Sequence, residues 1–398
     1  MSTQKKTAGS VDPDFVTTVG ENFIFTEIKE KTHGPMYSKI LSDGSFVTLS
    51  HSFEPGHASL IKHSVNGVYD ESLGVVISDK IGGLENFIAR NSLVTEDNKI
   101  IFLGAIRPAT GPDTALLARF SANGDLDKSF GTDGLTLINY PFYHSFYEPR
   151  LSQQPDGKII VVLKDGSNNG RVIRINKLGL PDSPFGQAGV IETSFDPCVA
   201  RGQSDGSVIV AGANRDRNSV WSAIIARYNN FGALDTRFGT DGYLKLYFGE
   251  NDGPSVLDCA IQADGHIIAV GYVNRGSGSN ESFIARITPL GQMDTTFNNG
   301  KPVKTGGSNY IEATAIQADG KIVTLARSPK GDVVLLLRHL SNGESDPTFG
   351  EGGVATAYRP TQGRPESINI QTLELQPDGK IVITGYGVQH TIIGRFLA

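Results

Sequence analysis

Gln376-Pro377-Asp378-Gly379-Lys380 opens a repeat that runs through Gly394-Arg395-Phe396 and stops before the Gly-x-x-Asp-x-x-Phe turn that closes the other copies. That turn stands at the opposite end of the chain, as Gly9-Ser10-Val11-Asp12-Pro13-Asp14-Phe15. A linear array has no reason to be divided this way, whereas a closed ring does. Strands from both ends of the chain would complete one blade and protect sheet edges that otherwise pair with foreign strands.

The full unit reads Q-x-D-G-K, an apolar strand, an apolar stretch ending in Arg, then G-x-L-D-x-x-F-G. Its anchor falls at Asp43, Asp97 (followed by Asn98), Asp156, Asp205, Asp264, Asp319 and Asp378. Units of about 55 residues are too small to stand alone and must stack on neighbours. In a clear copy, Cys259-Ala260-Ile261-Gln262 and Ile267-Ile268-Ala269-Val270 flank Asp264-Gly265. Two apolar runs joined by Asp-Gly predict a hairpin. Ser282 to Ile287 supplies a third strand, and a short fourth follows Phe297. No long segment of helical period competes. The expected fold is all-β: a seven-bladed β-propeller of four-stranded antiparallel blades, closed by pairing of the N-terminal segment with the last repeat. One domain should span residues 1–398, with a flexible tail at 1–8 and a seventh blade shared between 9–25 and 370–398.

This unit resembles the delta-60 repeat of bacterial proteins of unassigned function, from about Gly9 to Phe396. Gln262-Ala263-Asp264-Gly265 and Gln317-Ala318-Asp319-Gly320 head the clearest copies. The resemblance implies a fold and is nearly silent on function. The first repeat departs most, with Leu41 in place of Gln and Leu73 in place of Phe.

A basic residue closes each third strand: Lys62, Arg119, Arg174, Arg227, Arg286, Arg338 and Arg395. Eight residues later comes Asp70, Asp127, Asp182, Asp235, Asp294 or Asp346, and Asp12 fills the seventh place from the other end of the chain. An interval kept without insertion reads as packing: an Arg–carboxylate pair of fixed geometry, with an aromatic ring between blades. The Gln before each anchor is expected to satisfy backbone groups at its hairpin.

Composition excludes several functions. The net charge is −6 with no Lys/Arg run beyond two residues, so no basic stripe for nucleic acid is present. No apolar run is long enough for a membrane helix, and Met1 to Ser10 lacks the apolar core of a secretory signal. The expected compartment is the cytoplasm, with signal-independent export open. Cys198 and Cys259 then read as buried free thiols.

Length variation is confined to two connections. Anchor to Arg varies from 17 residues (Asp378 to Arg395) to 22 (Asp97 to Arg119), and Phe to the next anchor from 20 (Phe185 to Asp205) to 29 (Phe349 to Asp378). In an up-and-down blade both emerge at the same end, and variable loops on a rigid scaffold carry binding. The candidates there are Tyr140, Phe142, Tyr143, Phe146 and Tyr147, five aromatics in one loop that stack on a ligand or plug the channel mouth. Arg215, Arg217 and Arg275 could meet an anionic group, though solvated loop charges are the plainer reading, and Trp221 is either a contact residue or core. His51, Glu54 and His57 share a loop that could hold a metal, with His144 a further acid–base candidate. No nucleophile elbow, phosphate loop or calcium loop is present. The expectation is a non-catalytic scaffold without cofactor that binds a protein or carbohydrate partner. A hydrolase or lyase with a His/Glu site is the alternative.

Overall fold

The computed structural model describes residues 7–15, 24–26, 37–51, 58–76, 81, 87–106, 113–142, 149–164, 169–216, 220–249, 252–275, 280–305, 310–328, 333–358, 369–386 and 391–398. They form seven four-stranded antiparallel sheets, with one 3-10 turn at Asn298–Gly300 and no α-helix among the described residues. The chain is a seven-bladed β-propeller. Blade one comprises Tyr37–Ile40, Phe46–His51, Ala58–His63 and Tyr69–Val76. Blade two comprises Phe87–Val94, Ile100–Ile106, Asp113–Phe120 and Leu135–Phe142; blade three, Arg150–Gln153, Ile159–Lys164, Gly170–Ile175 and Val190–Thr193. Blade four comprises Asp196–Gly202, Val208–Arg215, Trp221–Tyr228 and Tyr243–Leu246; blade five, Gly253–Ile261, Ile267–Asn274, Glu281–Ile287 and Val303–Thr305. Blade six comprises Tyr310–Ile316, Ile322–Arg327, Val334–His339 and Val354–Tyr358. Blade seven joins Asn369–Leu375, Ile381–Tyr386 and Thr391–Phe396 to the N-terminal strand Ile24–Thr26.

Two compact units divide these blades. Residues 1–77 and 309–398 carry blades one, six and seven, and residues 78–308 carry blades two to five. Within each unit the core lies between blades. Phe185, Phe195, Ala200 and Val208 pack between blades three and four, and Phe349, Ile370, Leu373 and Phe396 between six and seven.

The divided repeat rejoins as expected. Ile24, Phe25 and Thr26 lie opposite Ile393, Ile392 and Thr391. Gly9 N donates to Leu397 O at 2.8 Å, and Asp12 N to Arg395 O at 2.9 Å. Arg395 Nε lies 2.9 Å from Asp12 Oδ2, with both side chains at 0% exposure, and Lys380 Nζ is 3.3 Å from the same oxygen.

The same arrangement recurs in five further blades. Each Arg pairs with the Asp eight residues on, at 2.6 Å in Arg174–Asp182 and Arg286–Asp294 and 2.8 Å in Arg338–Asp346. Its guanidinium also lies over the following Phe, 4.1 Å from the Phe185 centroid in blade three and 4.7 Å from Phe15 in blade seven. A further arm crosses to the next blade. Arg119 Nη1 donates to Lys177 O at 2.6 Å, Arg227 Nη1 to Pro289 O at 2.6 Å, and Arg395 Nη1 to Val65 O. One side chain thus pins its own turn and the neighbouring one.

Two glycines complete the junction. The Gly after four of these Phe residues donates its N–H to the next blade's turn: Gly131 to Leu178 O, Gly186 to Phe231 O, Gly239 to Leu290 O and Gly350 to Ala8 O. Ala8, the last residue of the expected tail, accepts one of these bonds. The approach needs a glycine on the accepting side, since a Cβ on Gly232 would sit 2.4 Å from Gly186 N, and one on Gly291 2.5 Å from Gly239 N.

The anchor Gln acts differently from expectation. Gln376 Nε2 donates to Gly44 O at 2.7 Å and Val65 O at 3.2 Å, both in the next blade, while its Oε1 accepts from Arg395. Both cysteines are free and buried. Burial pushes the Cys259 thiol up to about 12, which leaves it unreactive at neutral pH.

Candidate functional site

The described part of the loop-bearing end contains one built cleft of about 540 Å³, formed by the strand ends of blades four and five with Lys164 reaching in from blade three. Trp221 stands at its edge, half-buried. Trp221 lies opposite Arg215 in the hairpin ladder, and the Arg215 guanidinium sits 5.3 Å from its ring centroid. Tyr272 and Asn274 approach from blade five.

The polar floor is a short chain of contacts. Lys164 Nζ donates to Asp196 Oδ2 at 3.1 Å and to Cys198 Sγ at 3.3 Å, and Cys198 Sγ lies 3.5 Å from Ser255 Oγ. Burial works against the Lys164 charge, but Cys198 and Asp196 outweigh it and hold its pKa above the ordinary lysine value. The cleft therefore presents a fixed cation–carboxylate pair beside an aromatic edge.

A backbone irregularity aims two of these residues. The first strand of blade four slips register between Pro197 and Val199, and that of blade five between Val256 and Asp258, so Cys198 and Leu257 are the extra residues of β-bulges. Both line the cleft. The same slip occurs at Arg90, Glu312 and Gln371 in blades two, six and seven. In four of these five blades a glycine faces it from the second strand. Seven residues after the anchor Asp stands Gly104, Gly212, Gly271 or Gly385, and Ala326 in blade six. A Cβ on Gly212 would sit 2.0 Å from Asp196 O, and one on Gly271 1.9 Å from Ser255 O. Because a backbone oxygen cannot step aside as a side chain can, Gly212→Ala should lower the unfolding free energy by about 1–3 kcal/mol. It should also displace Asp196 and Cys198. Urea unfolding of the variant beside wild type measures the first effect, and a wild-type midpoint would refute it.

The other sequence candidates fall in several places. Arg275 lies 3.4 Å from Asp252 and is hydrogen-bonded to Glu281, so acidic neighbours hold its charge. Tyr140 packs on the core between blades two and three, beneath the Arg171 guanidinium at 5.4 Å. Phe142 ends a strand of blade two. Tyr143, His144, Phe146, Tyr147 and Arg217 lie outside the described residues, as do Glu54 and His57, while His51 ends a strand of blade one. Among the described residues no cluster of three or more metal-ligating side chains occurs, and no helix is long and apolar enough to cross a membrane. Lys164, Asp196, Ser255 and Tyr272 were not singled out by sequence, and Cys198 only as a buried thiol, since three blades contribute them. The bulge-forming glycine was the available signal. The opposite end of the blades is not featureless either: Leu178, Phe231 and Leu290 expose 60%, 67% and 61% of their surface at equivalent turns.

A family model described as a domain of unknown function (DUF5122) β-propeller matches residues 95–130, 203–238 and 262–297. The chain thus resembles a β-propeller repeat family of unknown function. No curated protein matches it. Among solved structures, hydrazine synthase of Kuenenia stuttgartiensis is similar at a TM-score of 0.53 and 14% identity, over 96% of this chain and 100% of that one. An oligogalacturonate lyase in complex with manganese follows at 0.52 and 10%, over 94% and 96%. Polysaccharide lyase Uly1 is similar at 0.50 and 9%, over 96% and 93%. At such identities the likeness concerns the fold alone.

Proposed function

We propose that this protein is a non-catalytic binding scaffold, a single propeller domain of the delta-60 repeat class, that holds an oligosaccharide in the cleft between blades four and five. The observation that carries this is the pairing of Trp221, at the cleft edge, with the Lys164–Asp196 pair and Asn274 on its walls. A pyranose offers an apolar C–H face and a rim of hydroxyls. An indole stacks on the first, while a carboxylate, an ammonium and an amide bond the second. The variable connections beside the cleft would set which sugar is taken.

Trp221 is the chain's only tryptophan, so its fluorescence reports on the cleft directly. Glycans that bind on an array should shift or quench that emission saturably. Trp221→Ala should weaken them about two- to tenfold, as loss of an aromatic contact worth roughly 0.5–1.5 kcal/mol implies, with the melting temperature kept. Binding that ignores Trp221→Ala would move the site elsewhere. A broad array without any binder would refute the carbohydrate reading.

A further inference from the structure

In blade two Thr95 stands in place of the Gln that heads five other blades. In blades three, six and seven that carboxamide oxygen accepts from the blade's own Arg, at 3.4 Å, 3.5 Å and 3.4 Å. In blades six and seven the amide nitrogen donates to the glycine carbonyl of the next hairpin, Gly379 O at 3.5 Å and Gly44 O at 2.7 Å. Beneath this roof Arg174, Arg338 and Arg395 are 1%, 4% and 0% exposed. Thr95 instead turns back on its own hairpin, donating to Asp97 Oδ1 at 2.5 Å and accepting from Lys99 N at 2.9 Å. Arg119 is 13% exposed, close to the 12% of Arg227 and Arg286. A cavity of about 260 Å³ lies where the carboxamide would be, lined by Thr95, Ile101, Arg119, Gly157, Ile159 and Lys177 among others.

We propose that this cavity is a socket for a primary carboxamide, the glutamine side chain of a partner peptide being the ligand that other blades supply from within the chain. Arg119 uses three of its five donors, on Asp127, Lys177 O and Ser129, so N–H groups remain for a ligand oxygen. Gly157 O, the counterpart of Gly44 O and Gly379 O, accepts a long bond from Gln153 Nε2 at 3.4 Å and has a second lone pair for a ligand NH2. The apolar walls, Ile101 and Ile159, take the methylene stem. Charges of both signs line the cavity, so selection rests on Gly157 O: an amide meets it with an N–H, whereas a carboxylate of the same size would turn an oxygen toward it.

The test uses the full chain with isotope-labelled isoleucine methyls, titrated with propionamide and, in parallel, with propionate. Propionamide should shift the Ile101 and Ile159 methyls saturably, and propionate should shift them at least tenfold more weakly. Thr95→Gln should abolish the response, because its own carboxamide fills the socket. Thr95→Val, which fills nothing, should keep it. Should Thr95→Gln fail to fold, Thr95→Leu, the residue type at the matching position 41, fills the same space and should also abolish it. Unmoved methyls, an equal response to propionate, or a response surviving in the filled variant would overturn the proposal.

Discussion

Asp12→Ala is expected to lower the unfolding free energy by about 3–5 kcal/mol, because it leaves a fully buried guanidinium without its carboxylate. Arg395 and Asp12 are both at 0% exposure, and only part of the Arg395 charge is met by the Val65 carbonyl and by Asn66 Oδ1 at 3.1 Å. The loss should exceed that of Asp127→Ala, whose Arg119 partner is 13% exposed and can recruit water. Adding Arg395→Met to Asp12→Ala should restore part of the stability, since the buried charge is then gone. Urea unfolding followed by circular dichroism measures all three. A loss below about 1 kcal/mol, the range of exposed ion pairs, would mean the clasp is not the tie its burial indicates.

Acid should destabilise the unit containing blades one, six and seven before the carboxylates titrate. His63 is 1% exposed and stacks on Phe46 at 4.9 Å, and His339 is 5% exposed. Burial pulls each imidazole down to about 4 from its ordinary 6.5. Between those values the unfolded chain binds protons that the folded chain refuses, so stability rises with pH there. Conversely, it is fully present above about 6.5, falls as pH drops toward 4, and flattens below. Each histidine contributes up to about 3 kcal/mol to that fall. Asp235, held at about 2 by Arg237 and then Arg227, keeps its share throughout this window. Matching positions in other blades carry Phe120, Ile175 and Ile287, so His63→Phe with His339→Ile should flatten the profile between pH 6.5 and 4. Unfolding curves collected across that range decide it, and a slope unchanged in the double variant would place the acid sensitivity elsewhere.

The parts of this fold legible in the sequence are those fixed by local chemistry repeated at constant spacing. Asp264-Gly265 specifies a turn because glycine takes its positive φ cheaply, and Arg286 with Asp294 specifies a strand end because eight residues bring the two into bonding reach. What could not be read is what neighbouring blades do to one another. Gln376 looks like a hairpin residue in the chain, yet its amide serves Gly44, 332 residues away. Trp221 was visible as a lone tryptophan, but its companions Lys164 and Tyr272 acquire meaning only when three blades bring their strand ends together. Gly212 lies between the two cases. Its spacing from Asp205 recurs in three other blades and could have announced the bulge that turns Cys198 into the cleft.

The paired glycines at the blade junctions bear on how such a chain can grow. Blades three and four each carry both halves of the contact: the glycine after Phe185 or Phe238 meets the blade that follows, and Gly179 or Gly232 receives the blade before. A duplicated gene segment of one whole repeat therefore arrives with a compatible surface on either side. Such a family can gain or lose copies by recombination without reworking its interfaces, and the boundaries of the copied segment need not coincide with those of a blade.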